Sequence, residues 1–311
     1  MELFRESNIN FVKMMRGAVV LSLLMIAAGL ASLAIKGGPR WSVDFTGGTV
    51  LRVAITPTPP AADVRRVLAG AGYAGVQVQE SEYQGAEGRV HEFIISLEGK
   101  DTGKDAAEAM QHALTAGLPG TTLEMRSVDA VGAKVGGELR TAAANSVFAS
   151  FAVMILYIAV RFVFRYGLAA VIALIHDVTI TVGLFSLLDK EISLQIIAAL
   201  LTLIGYSIND TIVVFDRIRE NMRFRRREGY AEVVNASINQ TLSRTVLTSG
   251  FTLITTICLW LLGGPVIRDF AFCLTFGIVI GTYSSIFIAS PILVWWAQRQ
   301  VVDKRRPQPA M

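Results

Sequence analysis

The 311-residue chain is short of charge: 17% of its residues are Asp, Glu, Lys or Arg, where an ordinary soluble chain carries about 25%. That deficit excludes a typical water-soluble enzyme. Cysteine is scarce too, and Cys258 and Cys273 both fall inside apolar stretches, so they read as small apolar fillers and not as a disulfide pair or thiolate ligands. The chain has three histidines, none with partners at ligand spacing. No metal is expected, and nothing in the sequence asks for a cofactor.

Apolar length is what the chain has in quantity. Hydrophobic residues make up 52% and the mean hydropathy is +0.50, concentrated in six stretches at 17–35, 142–160, 167–188, 192–214, 245–262 and 270–296. At about 1.5 Å per helical residue, each can cross a hydrocarbon core of about 30 Å. Ser32-Leu33-Ala34 resembles a signal-peptidase site. The apolar run before it, about 18 residues, exceeds the 7–15 of a cleaved signal, so an uncleaved helix is expected.

Loop charges orient the bundle. Basic residues gather in 1–16 (Arg5, Lys13, Arg16), at Arg161 and Arg165, in the 215–244 loop (six arginines from Arg217 to Arg227, then Arg244) and in the 297–311 tail, including Arg299. The opposite short loops hold Lys190 and Arg268 alone. By the positive-inside rule both termini and the 215–244 loop are cytoplasmic, and segment 36–141 is extracytoplasmic. The pI of 9.2 then reports topology, and no nucleic-acid partner is implied. Trp41, Trp295 and Trp296 fall where an aromatic belt is expected.

Segment 36–141 carries 11 Lys/Arg and 13 Asp/Glu, an aqueous composition. An extended run through Val43, Phe45, Val50, Val53 and Ile55 precedes Pro57–Pro60, and Ala61–Ala71 has helical spacing. Strand-like Val76–Val78 and Val90–Leu97, a helix over 103–116 and a strand over Thr121–Val128 complete the order β-α-β-β-α-β. The expected fold is a six-helix membrane bundle with a ferredoxin-like α+β domain. The Gly99–Asp105 stretch imitates a phosphate loop, but it is one residue short and ends on Asp105 where Ser or Thr is needed.

Ionisable groups inside spans are costly, roughly 2.5–3.5 kcal/mol each on the lenient scale, so the exceptions are informative. His176 and Asp177 interrupt the third span about 11 residues from Arg165, or roughly 16 Å deep. Asp210 lies about seven residues, or 10 Å, from Arg217. Arg244 opens the fifth span. The fourth and fifth spans are antiparallel, so Asp210 and Arg244 can lie at similar depth, with Tyr206, Asn209 and Val213 nearby and Thr245, Thr248, Ser249, Thr252 and Thr255 supplying hydroxyls for water. A carboxylate facing a guanidinium makes a two-state gate driven by one proton. The alternative for Asp210 with Arg244, and for His176 with Asp177, is a static buried pair that fixes helix register. Gly277 and Gly281, with Thr282–Ser285 after them, read as a close-packing face.

Val43-Asp44-Phe45-Thr46-Gly47-Gly48, the run from Gly205 through Asp210 to Asn221, Ser243-Arg244-Thr245 and the run from Gly281 to Pro291 together resemble the SecF family, the six-helix half of the bacterial SecDF complex. The resemblance covers nearly the whole chain and implies half of an RND-type transporter paired with SecD in the bacterial inner membrane. It further implies work beside the SecYEG translocon, YajC and YidC on unfolded preproteins, with the proton-motive force assisting late, ATP-independent export. It makes Asp210 the proton-carrying carboxylate and Arg244 its partner. Asp44, Phe45, Gly47 and Gly48 become a structural junction between helix and domain. Other readings are a non-transducing scaffold, a small-molecule RND exporter subunit that would have to pair, and an intramembrane aspartyl protease with Asp177 and Asp210 as its dyad. The last is disfavoured, because neither aspartate lies in a Gly-x-Gly-Asp context.

Overall fold

The computed structural model describes residues 8–73, 75–85, 88–98, 104–161 and 164–304. Arg5, the phosphate-loop-like stretch 99–103 and the tail beyond 304 lie outside these residues. Among the described residues, six helices are long and apolar enough to cross a membrane. They are α1 (Phe11–Ile35), α5 (Ala133–Arg161), α6 (Phe164–Leu187), α7 (Leu194–Phe224), α8 (Tyr230–Leu262) and a last composite helix. The composite runs through α9 (Gly264–Ser284), a π-turn at Ser285–Ala289 and α10 (Ser290–Lys304). Pro291 has no N–H for the carbonyl one turn back, and Ser290 Oγ bonds the Ser285 carbonyl at 3.0 Å, so the helix widens here instead of breaking.

The apolar stretches locate the six spans but underestimate the helices. Expected loop 215–244 is a helical hairpin: α7 continues to Phe224, α8 starts at Tyr230, and residues 225–229 make the turn. Val214, Phe215, Ile218 and Asn221 are buried against Val233, Val234, Ser237, Ile238 and Thr241, a helical spacing that keeps both extensions packed after the apolar run ends. α6, α7 and the composite helix form the inner layer, half or more of their spans being buried, while α1, α5 and α8 present mostly outward faces. Where α1 packs on α6, two glycines that sequence reading did not single out meet, alongside a Ser32–Ser186 hydroxyl bond of 2.8 Å. A Cβ on Gly29 would lie 2.8 Å from the Gly183 Cα, and one on Gly183 would lie equally close to Gly29. This is the small-residue approach that membrane helices use to pack.

Between α1 and α5 lies the β-α-β-β-α-β domain: β1 (Gly48–Thr56), α3 (Ala61–Gly70), β2 (Gln77–Gly85), β3 (Gly88–Glu98), α4 (Lys104–Gly117) and β4 (Thr122–Val131). The antiparallel sheet has order β2-β3-β1-β4, the ferredoxin-like arrangement. Leu51, Val53, Ile55, Phe93 and Ile95 line one face and pack on Val64, Leu68, Ala107, Met110 and Leu114 of the two helices. Val43 and Phe45, expected in an extended stretch, instead belong to a one-turn helix, α2 (Val43–Thr46), which Ser42 caps. Gly47, at φ +75°, then turns the chain into β1.

Glu92, on the opposite face of β3, is buried, and its Oε1 has no hydrogen-bond partner among the described residues. Desolvation raises its pKa above the ordinary carboxylate range despite Arg52 and Arg126. A carboxyl with a raised folded pKa costs nothing below its unfolded pKa and its full penalty above the folded one. Glu92→Gln should therefore stabilise the domain at pH 7–8, with the gain shrinking as pH falls through the carboxylate range, as read by slower amide exchange in β3. Gly183→Val should destabilise the bundle by about 1–3 kcal/mol through overpacking against α1, measured as a lower denaturation midpoint in detergent.

Candidate functional site

The site lies where α6, α7, α8 and α9 meet. Gly277 and Gly281 set the spacing: a Cβ at Gly277 would sit 2.7 Å from Leu203 Cδ2, and one at Gly281 would sit 3.0 Å from Ser207 Cβ. At both positions α9 lies too close to α7 for a larger residue to fit unshifted. With α9 pressed onto α7, Ser284 Oγ reaches the buried Asp177 carboxylate and Thr282 Oγ1 reaches Ser249, the donor to the buried Asp210.

Asp177 is the better bonded of the two. Its Oδ2 accepts from Ser207 Oγ of α7 at 2.5 Å and from Ser284 Oγ of α9 at 2.8 Å, and Oδ1 lies 2.8 Å from His176 Nδ1. A carboxylate only accepts, so the ring places its proton on Nδ1. One side chain thus ties three helices together. His176 Nε2 has no hydrogen-bond partner among the described residues, and the ring stacks on Tyr283 with centroids 6.3 Å apart.

Asp210, three residues after Ser207 on α7, is 3% exposed and has a thinner set of partners. Its Oδ2 accepts from Ser249 Oγ of α8 at 2.8 Å, and Ser249 in turn accepts from Thr282 Oγ1 at 2.8 Å. Tyr206 Oη donates to Thr252 Oγ1 at 3.4 Å on the same α7–α8 seam. Arg244 sits five residues before Ser249 and within electrostatic range of Asp210, yet the two form no ion pair within 4.0 Å among the described residues. Its guanidinium borders a cleft of about 580 Å³ with Asn209, Val213, Asp216, Arg217 and Thr241. Thr245, beside Arg244 on α8 and one turn before Ser249, is buried, and its Oγ1 has no partner among the described residues.

Sequence reading put Asp210, Asn209, Tyr206, Arg244 and Ser249 in one neighbourhood, and the structure brings them to the α7–α8 seam. It missed the roles of Ser207, Thr282 and Ser284 as donors. Four consecutive hydroxyl residues in an apolar span, Thr282–Ser285, were the available signal, since each must find an acceptor in lipid. Asp177 and Asp210 hold separate sets of hydrogen-bond partners, Ser207, Ser284 and His176 on the first and Ser249 on the second, and no hydrogen bond joins the two among the described residues. Nor is any group of three or more His, Cys, Asp or Glu side chains placed to hold a metal among those residues.

The second charged cluster is the junction above the bundle. Asp44 Oδ2 accepts from the Leu194 N–H at 2.9 Å, at the first turn of α7. Ser42 N donates to the Ile192 carbonyl at 3.0 Å and Ile192 N to the Arg40 carbonyl at 2.7 Å. Arg40 pairs with Asp189 and Glu191, and Lys36 with Asp189, at 3.1–3.2 Å. These cations hold the Asp189 carboxyl below its ordinary range. Phe45 packs with Phe185, Ile192 and Ile196, and a Cβ on Gly136 of α5 would lie 3.0 Å from the Gly47 nitrogen and the Phe45 carbonyl.

Residues 105–299 match the family model for the protein export membrane protein SecD/SecF C-terminal region, and residues 31–59 match the SecD/SecF GG motif. The chain is 39% identical over 307 residues to protein translocase subunit SecF of Gemmatimonas aurantiaca, covering 95% of this chain and 89% of that one. It is 42% identical over 289 residues to SecF of Vibrio alginolyticus, covering 92% and 89%. Protein translocase subunit SecDF of Thermus thermophilus is 40% identical over 282 residues, which are 91% of this chain and 38% of that longer one. The crystal structure of SecDF, a translocon-associated membrane protein from Thermus, superposes with a TM-score of 0.84 at 39% identity, over 96% of this chain and 40% of that one. A SecDF structure in a super-membrane-facing form gives 0.68 over the same shares. With the GG-motif match running from the end of α1 through α2 into β1 and the SecD/SecF C-terminal region spanning both buried carboxylates, the chain belongs to the SecF family of multi-pass membrane proteins.

Proposed function

We propose that this protein is the SecF half of a SecD–SecF pair and serves protein translocation, with proton passage at Asp210 and Arg244 driving movement of its β-α-β-β-α-β domain. One observation carries the reading. A buried carboxylate lies just inside an outward-facing polar stripe that runs along α7 and α8: Thr202, Tyr206 and Asn209 on one helix, Arg244, Thr248 and Thr255 on the other. The threonine hydroxyls bond back to their own helices. Asn209 and the Arg244 guanidinium have no such bond among the described residues. Facing lipid, a guanidinium costs roughly 2.5–3.5 kcal/mol at a span centre and less near an end, so this face calls for a partner's helices. The fused SecDF relatives, in which this chain matches about 40% of the length, make SecD the natural occupant.

The chemistry follows from the bonding. An ionised Asp210 accepts from Ser249 and attracts Arg244, and the cleft and Thr245 give water a route to it. Protonation removes the attraction and lets the carboxyl donate, reversing the direction of the Ser249–Thr282 chain. One proton crossing 100 mV supplies about 2.3 kcal/mol, a roughly 50-fold bias on a two-state element. Asp177 has the opposite character: three partners from three helices favour a fixed hub that sets register, with His176 holding its second oxygen. The unequal TM-scores against two SecDF structures fit a fold whose parts change relative position. On this reading both termini and the 225–229 turn are cytoplasmic, and the domain faces the periplasm, where it acts late in export without ATP beside SecYEG on unfolded preproteins.

The test uses the complex with SecD reconstituted beside the translocon. Asp210→Asn should assemble in normal yield, abolish proton flux, and reduce export to the level measured without a gradient. Arg244→Met should do the same. Normal gradient-dependent export by Asp210→Asn would overturn the proposal. Reduced complex yield with unchanged coupling per complex would favour the scaffold.

A further inference from the structure

The junction suggests how a change at Asp210 would reach the domain. We infer that Asp44 is a positioning residue that makes α7 and the domain's central strand one mechanical element, an inference that rests on the Asp210 reading above. Asp210 and the Asp44 bond lie on the same helix, 16 residues or about 24 Å apart. The first N–H groups of a helix lack intrahelical acceptors. Ser193 satisfies the Ile196 N–H from within its own chain segment, at 3.3 Å, whereas the Leu194 N–H is taken by Asp44, which belongs to the domain's root.

From Asp44 the path is short and stiff. α2 is wedged between α5, through Gly136, and the 188–193 turn, through Phe45 and the paired backbone of residues 40–42 and Ile192. Two residues past Phe45, Gly47 leads directly into β1, which is central in the sheet. No flexible linker intervenes between the α7 N-terminus and that strand. A tilt or axial shift of α7 must either carry β1 with it or break the Asp44–Leu194 bond.

Separating transmission from folding takes two variants. Asp44→Ala deletes the acceptor on the domain side but leaves Ser193 to cap α7, and Asp44→Asn keeps a carbonyl oxygen there. In the reconstituted complex, Asp44→Ala should assemble in normal yield, keep its Asp210-dependent proton flux and show faster exchange of the Leu194 amide, while gradient-dependent export falls to the no-gradient level. Asp44→Asn should restore most of that export. Wild-type export by Asp44→Ala, loss of proton flux along with export, or no rescue by Asp44→Asn would overturn the role of Asp44. Equal export by wild type and Asp210→Asn would instead defeat the Asp210 reading and the inference built on it.

Discussion

A carboxylate buried in a bilayer must find its donors within the protein, and much of this bundle is arranged around meeting that demand twice. α9 approaches α7 at glycine-to-side-chain distances, and at that spacing Ser207 and Ser284 both reach Asp177 of α6. The same approach places Thr282 behind Ser249, which is the donor to Asp210. Substituting a larger residue at Gly281 would therefore do more than crowd a helix interface. It would withdraw hydroxyls from groups that have no water to replace them.

The two carboxylates differ in how completely that demand is met, and the roles proposed for them rest on that difference. Asp177 is saturated by neighbours from three helices, so changing its charge state would disturb all of them together. Asp210 has one protein donor, a cation nearby that it does not touch, and a cleft within reach. A group meant to change protonation needs slack of this kind. A group meant to hold register needs the reverse.

The gross plan was legible because lipid imposes long apolar runs and the domain imposes alternating periods. Six spans and the β-α-β-β-α-β order follow from those two signals. The apolar criterion lost the ends of α7 and α8, where helical burial continues through Asn221 and from Val233 among arginines; a 3.6-residue period was present, but uniform hydrophobicity was not. α2 was misread because Val43 and Phe45 alternate as a strand would, and only Ser42 ahead of them signals a capped turn. Asp210 and Arg244 stood out as charges in spans, yet their lack of a direct bond depends on side-chain reach that spacing does not encode. Ser207, Gly29 and Gly183 passed unnoticed, since small residues are common in membrane helices and gain meaning only from what faces them.

The way the sheet is hung from the membrane has a mechanical consequence. β1 leaves the junction at Gly48, β4 returns to α5 at Val131, and these two residues are directly paired, so both stalks attach at the same end of neighbouring strands. A force between bundle and domain pulls that pair in one direction and does not peel its strands apart. It passes to the rest of the domain across the β1–β3 ladder, from Gly48–Glu98 to Val53–Phe93, along the strand axis. Loaded that way the rungs bear the force in shear, together and not one after another, which is the geometry in which a small sheet resists most.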